Sequence, residues 1–243
     1  MAAYFIPILL HPQITHIMEK RFNVFNQIHK GLRCMMYDTS LQLQQADFTT
    51  DSANGTIAQL EQLLHIFDEH AHHEDTYILP HVAQHAPHLV ESFEKDHITD
   101  HKLSADLREH IAEWKNAGNA TAKATAGNHI FYAFNDFIAF NLYHMNREES
   151  ELLYTLWQHN SDAQIMDMQQ QIIQSIPPDV LAIESVWMIR AISNAEITAW
   201  LQGVKATAPA PVYEGLVQVA KTELPAERWN LINEKINTPA TVA

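Results

Sequence analysis

Cysteine is all but missing from this chain: Cys34 is the only one in 243 residues. A lone thiol excludes an intrachain disulfide and any cysteine-rich zinc or iron–sulfur site, and its apolar neighbours predict a buried side chain. Basic residues are also in short supply. Lys and Arg number 15 against 29 Asp and Glu, a formal net charge of -14 with histidine neutral. Such a surface repels phosphate and argues against a nucleic-acid partner. Glycine is scarce at 6, while Ala, Leu, Gln and Glu are plentiful, so the backbone leans towards helix. No run approaches the ~18 apolar residues of a membrane span. The opening MAAYFIPILLHP is too short and has no basic lead for a secretion signal. A cytoplasmic protein without a membrane partner is expected. The residue in excess is histidine, at 16 more than Lys and Arg together.

Four long segments carry apolar side chains at steps of three and four, the signature of helices with one buried face. They cover about residues 12–46 (Phe22, Phe25, Leu32, Met36, Leu43), 56–86 (Leu60, Leu63, Phe67, Tyr77), 88–117 (Val90, Phe93, Leu107, Ile111) and 122–159 (Ile130, Phe134, Phe137, Leu152). No strand-like alternation competes. Short connections between four such helices predict an all-α, antiparallel up-down four-helix bundle over residues 12–159. Beyond it the pattern shortens. A helix over 161–175 precedes the break IPPD, Ser193 and Glu196 have capping-box spacing, and Pro209, Pro211 and Pro225 start further short helices. Residues 160–243 are expected to form a helical appendix, with Trp187, Trp200 and Trp229 as packing anchors.

The four stripes turn polar at one point each. The first reads Phe22, Phe25, His29, Leu32; the second Leu63, Phe67, His70, Glu74, Tyr77, His81. The third runs Val90, Phe93, His97, His101, Ser104, and the fourth Phe137, Asn141, His144, Glu148, Leu152. Residues i and i+4 sit only ~40° apart on a helix, so His70/Glu74, His97/His101 and His144/Glu148 form three pairs expected to face inward. His29 is a single inward group. Counting to the turns gives about 22 and 21 residues across Asp51, about 15 and 12 across Pro87, and about 23 and 24 across Ala122. At 1.5 Å per residue the mismatch stays within ~5 Å, so all seven groups can meet at one level. His72 and His73 flank the stripe and are expected to point sideways or outward. His65, His81, His85 and His88 read as surface groups.

Burying two carboxylates without compensation is costly. The stripes offer no Lys at that level, and Arg147 lies beside its stripe. Metal cations fill the gap. Seven ligands suit two ions, imidazole with carboxylate favours iron, manganese or zinc over calcium, and an extended Glu can bridge.

The order His29, HAHHE (His70, Glu74), HITDH (His97, His101), HMNRE (His144, Glu148) resembles the hemerythrin family, the HHE cation-binding domain. The resemblance implies a hemerythrin-like bundle holding two non-heme iron ions, bridged by Glu74, Glu148 and an oxo or hydroxo group. It assigns His97, His101 and His144 to one iron, and His29 and His70 to the other. It implies dioxygen, or a related diatomic or peroxide ligand, as the partner; by their stripe positions, Phe25, Leu32, Phe67, Phe93 and Phe137 are expected to keep the pocket dry. A redox or signalling partner is expected at the appendix. Oxygen-carrying members place an Asp five residues after the last His, whereas Glu148 follows His144 by four. Bacterial relatives linked to iron–sulfur repair and nitric oxide stress share the Glu but often lack the second His of the HITDH type. Redox enzyme, repair protein and iron storage or sensing are therefore the alternative functions. A ferritin-like centre would need the pairs Glu69/His72 and Glu94/His97 facing inward.

Overall fold

A computed structural model describes residues 21–238. The stretch of the first expected helix before residue 21, with His11 and His16, lies outside the described residues. Helix α1 (Asn26–Gln45) starts later than its stripe suggests. Residues 21–25 are instead an irregular lead, because Phe25 N–H turns to the Asn23 side chain (2.9 Å). This lead is pinned by Arg21, whose guanidinium meets Asp162 (2.6 Å) and the Trp157 and Asn160 carbonyls (both 2.8 Å).

The chain continues through α2 (Asn54–His73), α3 (Leu79–Ala83), α4 (Pro87–Asn116), α5 (Ala120–Arg147) and α6 (Leu153–His159). Two π turns, Glu74–Ile78 and Glu148–Leu152, join α2 to α3 and α5 to α6 without a break. Contacts close a ring: α1 touches α2 and α5, and α4 touches α2 and α5. This is a helical bundle, and no strand occurs among the described residues. Its interior is two apolar clusters with a polar layer between them. Leu32, Leu60, Phe67, Phe134 and Phe137 belong to one cluster, and Phe25, Ile78, Val90, Phe93 and Leu152 to the other.

The appendix is α7 (Asp162–Ser175), α8 (Pro178–Ala191), α9 (Asn194–Thr207), α10 (Ala210–Glu223) and α11 (Ala226–Asn237). Capping boxes at Ser161/Gln164 and Ser193/Glu196 start α7 and α9. The appendix does not stand apart from the bundle. Ile165 and Met168 of α7 join one bundle cluster, Val180 and Trp187 of α8 join the other, and only the end of α8 with α9–α11 encloses a core of its own. Trp187 is buried, and Trp200 and Trp229 are partly buried against that third core. Cys34 is half-buried rather than fully enclosed, and burial raises its thiol pKa.

Two glycines serve close approach. A Cβ on Gly31 would stand 3.1 Å from the Met188 backbone nitrogen, so α8 lies almost directly on α1. A Cβ on Gly127 would meet the Phe48 ring at 2.1 Å. Phe48 closes the end of the bundle, its carbonyl accepting from Trp114 Nε1 (2.9 Å). Gly127→Ala should therefore lower stability by about 1–3 kcal/mol, because displacing a packed ring outweighs the better helix propensity of alanine. A thermal melt that rises instead would contradict this packing.

Glu196 ties the appendix to α1 by accepting from Asn26 (2.7 Å) and Lys30 (2.5 Å). Burial would raise its pKa, but these bonds and those from Ser193 outweigh it and pull the carboxyl down to about 2. A depressed carboxylate adds stability above its ordinary value of 4.5 and loses it as pH falls towards 2. Glu196→Gln should cost about 1–2 kcal/mol at pH 7. Its deficit against the parent protein should close as denaturation is followed from about pH 4.5 downwards.

Candidate metal centre

Six of the seven singled-out residues meet in the polar layer between the apolar clusters. Glu148 and His29 have no exposure, Glu74 has 3%, and His70, His97 and His144 have 9% or less. They fall into two groups whose potential ligand atoms lie within 4.8 Å of one another: His29, His70, Glu74 and Glu148, and then Glu74, His97, His144 and Glu148. Both carboxylates belong to both groups. Glu74 Oε1 lies 3.2 Å from His70 Nε2 and 3.7 Å from His29 Nε2, while its Oε2 lies 3.4 Å from His97 Nε2. Glu148 Oε2 lies 3.4 Å from His29 Nε2, and its Oε1 lies 2.7 Å from His144 Nε2. Each glutamate thus divides its two oxygens between the two groups.

Local backbone chemistry sets this up. Both π turns begin at the glutamates themselves. A π turn inserts one extra residue into the helical repeat, and such bulges recur at functional sites. It also corrects the stripe on the second segment: Ile78, Leu79 and Val82 are buried after Glu74, whereas Tyr77 and His81 are only partly so. The extra residue moves the inward register by one.

His101 does not join the layer. On α4 the buried positions after His97 are Asp100, Ser104, Leu107, Ile111 and Trp114, so the stripe steps by three from His97 and not by four. Asp100 points inward and accepts from Asn141 Nδ2 on α5 (2.6 Å), and burial raises its pKa. The His101 side chain is consequently turned out, 53% exposed, with Nδ1 3.6 Å from Asp68. Spacing alone allowed either residue, and the Asn141–Asp100 bond across two helices decides between them.

Of the flanking histidines, His72 is exposed as expected, but His73 is buried, and burial lowers its pKa. His65, His85 and His88 are exposed. The ferritin-like pairs do not assemble: His72 and Glu94 face solvent.

Around the imidazoles stands a ring of carboxylates that the stripes did not predict. His29 Nδ1 meets Glu149 Oε1 (2.9 Å), which is also held by Arg33 (2.8 Å). His97 Nδ1 meets Asp75 (2.7 Å), and His144 Nδ1 lies 3.5 Å from Asp96, which pairs with Arg147. A proton held between Nδ1 and a carboxylate leaves Nε2 with its lone pair facing inward, the tautomer a metal needs. Glu149, which follows His144 by five residues, thus has a supporting place. Asp75 and Glu149 each follow an inner glutamate by one residue, a spacing signal that could have found them.

Burial alone would lower the pKa of His29, but Glu149, Glu74 and Glu148 outweigh it and raise the ring to about 9. Burial opposes and Asp75, Glu148 and Glu74 carry His97 to about 12. The inner carboxyls, pushed up by burial, are held below their ordinary range by the imidazoles around them. The layer therefore calls for positive charge. Besides His144 Nδ1 and Ser104 Oγ, the buried side-chain atoms left without a hydrogen-bond partner are both oxygens of Glu74 and Glu148 and the Nε2 atoms of His29, His70 and His97. Buried polar atoms are rarely left unpaired, and these are the atoms that two bridged cations would engage. The donor set fits.

Phe25 stacks on His29 (centroids 5.0 Å) and Phe93 leans on His144 (5.5 Å). These rings, with Leu32, Phe67 and Phe137, are at most 2% exposed. One further acid comes from the appendix: Glu184 of α8 is buried, and burial pushes its carboxyl up to about 7 against the pull of His70.

The family model described as hemerythrin HHE cation binding domain matches residues 22–156, more than half of the chain. No curated protein and no solved structure matches.

His97→Ala should cost the protein metal, whereas His101→Ala should keep its full metal content, as read by elemental analysis of the purified variants. Asp75→Ala, which frees the His97 ring, should weaken metal affinity by about 10–100-fold while leaving the ligand set intact.

Proposed function

The chain belongs to the hemerythrin HHE cation-binding family, and we propose that it is a non-heme di-iron protein that binds dioxygen or a related small ligand such as nitric oxide or peroxide. The observation that carries this reading is the division of Glu74 and Glu148 oxygens between the two histidine pairs. In it, His29 and His70 hold one ion, His97 and His144 hold the other, and both glutamates bridge. Two imidazoles and two carboxylate oxygens are a four-fold set of intermediate hardness, which suits iron, with manganese and zinc as competitors. When bound, iron supplies reversible one-electron chemistry and coordination positions beyond the protein's four. The protein residues orient and insulate. Glu149 and Asp75 fix the tautomers of His29 and His97, and the phenylalanine rings exclude water from the side of the site they cover.

A second reading, redox chemistry on nitric oxide, peroxide or damaged iron centres, is favoured by one specific feature. With His101 turned outward, the inward set is four histidines and two glutamates. That set is more like the relatives linked to nitrosative stress and iron–sulfur repair than like the oxygen carriers, which use a fifth histidine and an Asp.

Anaerobic purification, elemental analysis and exposure to each ligand in turn separate the readings. The expected outcome is about two iron per chain and a visible absorption that changes when air is admitted. If that change reverses on removing oxygen, the protein binds dioxygen; if peroxide or nitric oxide is consumed over many cycles, it is an enzyme. A chain that holds zinc alone and responds to none of these ligands would end both readings.

A further inference from the structure

A second cluster of metal-ligating side chains lies on the outer face of the bundle. His110 and Glu113 stand on α4, one helical turn apart, and His129 stands opposite on α5. His110 Nδ1 is 3.1 Å and His129 Nδ1 3.9 Å from the same Glu113 oxygen, Oε2. The two rings are 5.3 Å apart and tilted by 56°, and one ligand atom from each of the three residues lies within 4.8 Å of the others. We propose that His110, Glu113 and His129 form a solvent-open site for a single divalent ion of the zinc class, independent of the buried centre.

The geometry is close to what such an ion takes. Bonds of about 2.0–2.1 Å place tetrahedral ligand atoms roughly 3.4 Å apart, so the three groups need only side-chain adjustments. Two imidazoles with one carboxylate discriminate against magnesium and calcium, which prefer all-oxygen shells, and favour zinc or copper(II). Three protein ligands leave a position for water. His110 is 30% exposed at its side chain, Glu113 58% and His129 52%, so an ion here exchanges with solvent.

The surroundings favour a cation. Asp106, Glu109 and Asp136 line the groove beside the two histidines, and among the described residues none of them is paired with a Lys or Arg. Three basic residues of these helices are committed elsewhere: Arg108 to Asp68, Lys115 to Glu61 and Lys123 to Asp51. The resulting negative potential concentrates cations at the groove. Along the helices, His110 is about 20 Å from His97, and His129 about as far from His144. Neither site shares a ligand with the other.

The test uses untagged, full-length protein already loaded with iron, titrated with zinc chloride by calorimetry and by elemental analysis after dialysis. One zinc per chain should bind beyond the iron content. His110→Ala and His129→Ala should each abolish that binding and leave the iron content and the circular dichroism spectrum unchanged. Glu113→Gln, which keeps the shape and removes the charge, should weaken it while both histidine resonances still shift on zinc addition. The control variants His65→Ala and His88→Ala should bind like the parent. Zinc binding that survives in the His110→Ala/His129→Ala double variant, or no extra zinc in the parent protein, overturns the proposal.

Discussion

The architecture depends on the placement of two carboxylates. Glu74 and Glu148 lie at the centre of the bundle, almost without contact with water, and a buried charge is tolerated only when other charges and hydrogen bonds compensate it. Compensation comes in layers. Four imidazoles surround the carboxylates, and three outer acids, Glu149, Asp75 and Asp96, stand behind three of those imidazoles. Arg33 and Arg147 close the arrangement from outside. Removing one layer leaves the next with unpaired groups, which is why the bundle needs all four long helices at a common height. The apolar clusters above and below supply the packing energy that holds such a polar layer in place.

The appendix takes part in this arrangement from one side. On α1, His29 points into the polar layer, Lys30 pairs with Glu196, and Gly31 admits the backbone of α8. Three consecutive residues therefore serve the centre and the docking of the appendix at once. Glu184 comes from the same α8 and feels the charge of His70. The His29/His70 half of the centre is thus braced by α8. The opposite half faces a surface groove lined by Asp75, His97, Ile98 and His101. The two halves of the polar layer therefore have chemically different surroundings.

Much of this was legible in the chain because helices repeat strictly. A stripe of period 3.6 that turns polar at His29, His70/Glu74, His97 and His144/Glu148 identifies inward groups on four helices. Counting to the turns then puts them at one height. The readings that failed did so where the repeat was broken or was ambiguous. The π turn after Glu74 shifted the buried register from Tyr77 to Ile78. At His97 the next inward step could be three or four residues. Asp100 took the place expected of His101 because Asn141, on another helix, offers it a hydrogen bond. The outer acids escaped because they lie off the stripe and reach in from its flank.

By itself, the sequence determined the helical class, the height of the polar layer and six of the residues that line it, since all three follow from local periodicity along single helices. Tertiary structure alone decided which oxygen of each glutamate faces which histidine pair, which acid stands behind which ring, and how α8 lies on α1. Those choices depend on distances between helices, and no spacing along one chain segment encodes the distance to another. The same holds for His129, which meets His110 and Glu113 only because α4 and α5 pack side by side.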